Sequence, residues 1–118
     1  MSDALFVYGS LRSEFGNRYA VELRAAADLV GRATVMGSIF RVGRYPGYRA
    51  EPAGRVHGEV WRLRHPERTL AMLDEYEGSR YRRVLTPTSL PGVEAWIYAY
   101  ADDVEAGGRI ESGDFLVS

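Results

Sequence analysis

Lysine and cysteine are missing from these 118 residues. All 15 basic side chains are therefore arginine. No amine is present for a Schiff base, no lysine for a P-loop, and no thiol for nucleophilic attack or a disulfide. Two histidines without cysteine leave too few soft ligands for a zinc site. An excess of either charge is lacking too. The arginines are scattered among 16 acidic residues for a net charge of −1, with no basic stripe of the kind that neutralises nucleic-acid phosphates. No stretch approaches the ~18 apolar residues that would span a membrane, and no charged start leads into a long apolar run. The expectation is a cytoplasmic protein with neither a nucleic-acid nor a membrane partner.

What is present is the material for one core. A chain of 13.2 kDa with 46% hydrophobic residues has the size of one domain, here residues 1–118, and can bury roughly two-thirds of its unfolded surface. Leu5 to Tyr8 reads as a buried strand closed by Gly9, with a polar loop at Arg12 to Gly16. Asn17 is a good helix cap, and Ala20, Leu23 and Ala27 follow at helical spacing. Leu29–Val35 and Ser38–Val42 read as strands parted by Gly37. The stretch from Gly43 to Gly47, containing Tyr45-Pro46-Gly47, is expected to be a turn that stops regular pairing. Val56–Leu63 alternates in the manner of a strand, with Val56, Gly58 and Val60 on one face and His57, Glu59 and Trp61 on the other. Pro66 opens a second helix, with His65 just before it, and Gly78 ends it. Tyr81–Thr86 and Val93–Tyr100 are the last strands, and the tail from Ile110 to Phe115 is suited to docking back. Five or six short strands and two helices imply an α+β fold, a small, mostly antiparallel β-barrel with two flanking helices.

Two segments carry chemistry. Tyr8-Gly9-Ser10-Leu11 follows a strand, and its glycine lets successive backbone N–H groups face an anion, although an ordinary turn has the same sequence. On the second helix, Leu70, Leu73 and Glu77 share one face, so Glu77 is directed toward the core. Burial and the negative end of the helix dipole should both raise its proton affinity. The competing reading makes Glu77 a solvated last-turn acid or the partner of Arg80, Arg82 or Arg83. Asp74 shares its edge of the helix and is another partner for Arg83. Trp61, Trp96, Tyr98 and Tyr100 suit either barrel core or a pocket wall.

Val7-Tyr8-Gly9-Ser10-Leu11-Arg12, Tyr45-Pro46-Gly47, Val56-His57-Gly58-Glu59-Val60, Leu73-Asp74-Glu75-Tyr76-Glu77-Gly78 with Tyr81 and Arg83, and Ser112-Gly113-Asp114 occur in an order that resembles the gamma-glutamylcyclotransferase-like family, particularly its AIG2-like branch. The resemblance runs from residue 5 to about residue 115. It implies a small mixed β-barrel with flanking helices and a pocket for a γ-glutamyl compound. It further implies that Tyr8, Gly9, Ser10 and Leu11 bind the glutamyl end through main-chain groups, and that Glu77 is the proton acceptor. The reaction implied releases 5-oxoproline and a free amine without cofactor or metal, and glutathione is expected to be a poor substrate. Two other functions are compatible with the residues. One is a non-catalytic module that binds small acids. The other is a hydrolase with Ser10 as nucleophile, His57 as base, and Asp74 or Glu59 as orienter.

Overall fold

The computed structural model describes residues 2–9, 17–104 and 106–117. Its elements are β1 (Ala4–Val7), α1 (Arg18–Ala26), β2 (Ala27–Met36), β3 (Ser38–Val42), β4 (Tyr45–Arg49), β5 (Arg55–Leu63), α2 (Pro66–Glu77), β6 (Tyr81–Pro87) and β7 (Glu94–Tyr100). The Asn17 side chain caps α1 by accepting from the Ala20 N–H at 3.0 Å. The helix ends at Ala26, and Ala27, read from its spacing as helical, instead begins β2.

All seven described strands belong to one curled sheet, a half-barrel, in the order β2-β5-β1-β7-β4-β3 with β6 on β7. The β1–β5, β2–β5, β3–β4 and β6–β7 pairs are antiparallel, whereas β7 runs parallel to both β1 and β4. This is the mixed, mostly antiparallel arrangement expected, with more strands than the pattern indicated. The additional strand is β4, which corrects the reading of Gly43 to Gly47 as a turn that breaks pairing. Pro46 and Gly47 sit inside β4, opposite Arg41 and Phe40 of β3. The Pro46 carbonyl accepts the Tyr81 hydroxyl at 2.9 Å. A Cβ on Gly47 would lie 2.8 Å from the Tyr100 Cβ. Glycine stands there because β7 passes too closely for a side chain, so close packing rather than turn geometry is the reason for it.

Period-two alternation divides the apolar residues between two faces. Phe6, Tyr8, Val35, Ile39, Tyr48, Val56, Val60 and Ile97 fill the concave side. Leu5, Val7, Trp61, Leu63 and Tyr98 form the other side and are covered by Leu23 of α1 and Leu70 and Leu73 of α2. Because β1 is buried on both faces, its run is continuously apolar. The tail docks as expected, with Ile110 buried and the His57 N–H donating to the Gly113 carbonyl at 2.8 Å. Among the described residues no helix is long and apolar enough to cross a membrane.

Candidate active site

One edge of β7 is shared by two strands. Its N-terminal half pairs with β1 at Leu5↔Trp96, and its C-terminal half pairs with β4 at Tyr48↔Ala99. Where β1 and β4 part, the Tyr8 side chain fills the fork. Its hydroxyl donates to the Tyr98 carbonyl at 2.5 Å and accepts the Tyr48 N–H at 3.0 Å. A phenol thus satisfies two backbone groups that the divided ladder leaves open. Just beyond the fork, Gly9 lies against β4, where a Cβ would come within 3.0 Å of the Pro46 ring.

The fork opens into a cavity of about 260 Å³. Val7, Tyr8 and Gly9 form one wall, Tyr45 and Pro46 of β4 another, and Tyr76, Glu77, Tyr81 and Tyr98 the rest. Tyr76 is stacked on Tyr19 of α1, with ring centroids 4.1 Å apart, and Tyr81 is held to β4 through its bond to Pro46. The stripe of α2 that buries Leu70 and Leu73 continues to Glu77, which places its carboxylate in the cavity. Gly78, at φ 80°, then ends the helix.

Burial raises the Glu77 pKa to about 7. Removal from water is the cause of the increase. None of the three arginines named as partners is paired with Glu77: Arg80 lies 3.8 Å from Asp102, Arg82 is exposed, and Arg83 is bound to Asp74. Asp74, three residues earlier, experiences the opposite effect. Burial pulls its pKa upward, but hydrogen bonds from Arg83 and from the Tyr98 hydroxyl outweigh it and hold the carboxyl below its ordinary value. Two carboxyl groups on one edge of a helix therefore differ in proton affinity because of their surroundings. The Tyr8 and Tyr81 hydroxyls are pushed up, by burial first and by the nearby Glu77 charge second. Both remain neutral donors at ordinary pH.

Tyr8, Gly9 and Glu77 are thus brought to one cavity, whereas Ser10 and Leu11 lie outside the described residues. His57 is exposed and lines a separate surface cavity with Arg32 and Asp114. Glu59 is buried on the helix-covered side, within 3.3 Å of the Trp61 indole nitrogen. Of the four large aromatics, Trp61 is core, Tyr98 lines the cavity, Trp96 lies under the Arg83 guanidinium, and Tyr100 meets Tyr81 edge-on. Sequence reasoning missed Tyr45, Pro46 and Tyr81 as cavity walls. The signal was the sequence Tyr-Pro-Gly itself, an aromatic beside residues that permit close approach.

The model of the family described as gamma-glutamyl cyclotransferase, AIG2-like, matches residues 5–117. The chain belongs to that family. It is 40% identical over 116 residues to the gamma-glutamylcyclotransferase family protein YtfP of Escherichia coli K12, covering 95% of each chain. The solution structure of ytfP from Escherichia coli superposes with a TM-score of 0.68 at 37% identity, over 96% of both chains. Protein PH0828 of Pyrococcus horikoshii shares the fold, with a TM-score of 0.77 at 24% identity over 97% of this chain and 90% of that one. Within the family fold, the cavity at the β1/β4 fork is the place where Glu77 and Gly9 of this chain meet.

Proposed function

We propose that this protein converts a γ-glutamyl amine or γ-glutamyl amino compound into 5-oxoproline and the free amine, with Glu77 as the proton carrier. Glu77 takes a proton from the substrate α-ammonium. The freed nitrogen attacks the γ-carbonyl carbon of the same molecule and forms the ring C–N bond. As the tetrahedral oxyanion collapses, the bond to the leaving nitrogen breaks and Glu77 returns its proton to that nitrogen. The ring nitrogen gives up its extra proton to the ionised Glu77, which passes it on to the departing amine or to water, leaving the neutral lactam. A carboxylate that titrates near neutrality suits both transfers. Ring closure is intramolecular, so holding the substrate folded in a small cavity supplies much of the acceleration. Main-chain groups of the Tyr8-Gly9-Ser10-Leu11 segment hold the glutamyl end or the developing oxyanion.

The observation that carries this reading is a half-buried Glu77, unpaired with any described arginine and raised to about 7, in the same cavity as Tyr8 and Gly9. The test is Glu77→Gln. It should keep the fold and abolish 5-oxoproline release across a panel of γ-glutamyl amino acids, γ-glutamyl amines and isopeptides. Near-wild-type release by that variant would refute the assignment. Thermal stabilisation of the wild type by 5-oxoproline, with no turnover of the panel, would instead identify a binding module.

A further inference from the structure

Arg83 stands two residues beyond Tyr81 on β6, so both side chains leave the same face of the strand. A guanidinium on that face would be attracted to Glu77. It is held elsewhere. Arg83 forms two bonds to Asp74, Nε to Oδ1 at 3.0 Å and Nη2 to Oδ2 at 3.2 Å, and lies 4.5 Å over the Trp96 ring. Asp74 also accepts the Tyr98 hydroxyl at 2.6 Å. Tyr81 and Tyr98 line both the cavity and the adjoining surface groove that contains the Asp74–Arg83 pair. These two rings are shared by the lining around the pair and the lining around Glu77.

We propose that Asp74 is a positioning residue that keeps Arg83 behind Tyr81 and Tyr98, so that none of the described cations stands beside the cavity's carboxylate. The groups facing Glu77 from the packed elements are otherwise phenols: Tyr8 after β1, Tyr45 on β4, Tyr81 on β6, Tyr98 on β7, and Tyr76 on α2 backed by Tyr19 of α1. Of the other charges on these elements, Arg18 pairs with Glu22, Arg24 is engaged on α1, and Arg49 donates to the Tyr100 and Asp102 carbonyls. Glu67, Arg68, Glu75, Arg82 and Glu94 are exposed, and Arg80, between α2 and β6, faces Asp102. Among the described residues, Arg83 is therefore the cation whose release would change the cavity. An opposite charge within about 4–6 Å lowers a carboxyl pKa by one unit or more.

This inference rests on Glu77 being the functional carboxylate, but its test does not require turnover. The Glu77 side-chain carboxyl is titrated by carbon-13 NMR in the free protein, and its signal is assigned by its absence in Glu77→Gln. In Asp74→Asn the midpoint should fall by about one pH unit as the freed Arg83 approaches. In the double variant Asp74→Asn/Arg83→Gln it should return to the wild-type value. Asp74→Ser releases Arg83 in the same way and carries the test if Asp74→Asn is insoluble. An unchanged midpoint in the single variant, or a shift that persists in the double variant, would overturn the proposal. A midpoint that moves and returns in a protein inert toward every γ-glutamyl compound would uphold this role and refute the reaction. Normal turnover with a fixed midpoint would do the reverse.

Discussion

Replacing Glu77 by glutamine should stabilise the folded protein, and the gain should depend on pH. In the unfolded chain Glu77 ionises at its ordinary pKa of 4.5, whereas burial in the cavity moves this to about 7. Below pH 4.5 the acid is neutral in both states and resembles the amide. Between the two values the unfolded chain has released its proton and the folded protein has retained it, so stability falls as pH rises. The decline of about 1.4 kcal/mol per pH unit reaches about 3 kcal/mol once pH exceeds 7, and then levels off. For a domain of this size that corresponds to a melting difference on the order of 10 °C. The assay is urea or thermal unfolding of both proteins from pH 4 to pH 9. The other titrating groups are common to both and cancel in the difference. Expected is a difference near zero at pH 4 that grows to its plateau just above pH 7. A difference that stays flat over this range would show that Glu77 titrates as it would in water, and the case for a tuned base would fail with it.

Three further outcomes follow from the same geometry. The rate of 5-oxoproline release at low substrate concentration should rise with pH through about 7 and level off, because the base must be ionised in the free enzyme; a profile already flat at pH 5 would exclude Glu77 as that base. Tyr8→Phe removes the hydroxyl that bridges Tyr98 and Tyr48 and leaves a buried carbonyl and N–H without it, a loss of about 1–3 kcal/mol for each group in urea unfolding; wild-type stability would show that the fork needs no bridge. Gly58→Ala would place a Cβ 2.2 Å from the Val7 carbonyl oxygen and 2.7 Å from the Phe6 ring, costing about 3 kcal/mol or more, whereas Gly107→Ala meets nothing and should remain within about 0.5 kcal/mol of wild type.

The helices were legible because their signals are local. Asn17 caps α1, Pro66 opens α2, Gly78 closes it, and the Leu70-Leu73-Glu77 spacing directs the acid inward. Leu5 to Tyr8 was legible because a strand covered on both faces is apolar throughout. β4 was not, since the same Pro46-Gly47 pair serves a turn or a tight strand, and Tyr100, far away in sequence, decides between them. Whether Glu77 would be paired was equally closed to the sequence. Arg80, Arg82 and Arg83 all lie within reach along the chain, and only the three-dimensional arrangement assigns Arg83 to Asp74.

The cavity borrows residues 6–9, 45–46, 76–77, 81 and 98, so its walls come from positions more than ninety apart along the chain. It cannot exist in any nascent or clipped fragment that stops short of β7, however well α1 and α2 form by themselves. Loop-closure entropy postpones such distant pairings until late in folding. Occupancy by a small acid would then act as a seal of completed assembly, which partly folded chains are unable to display.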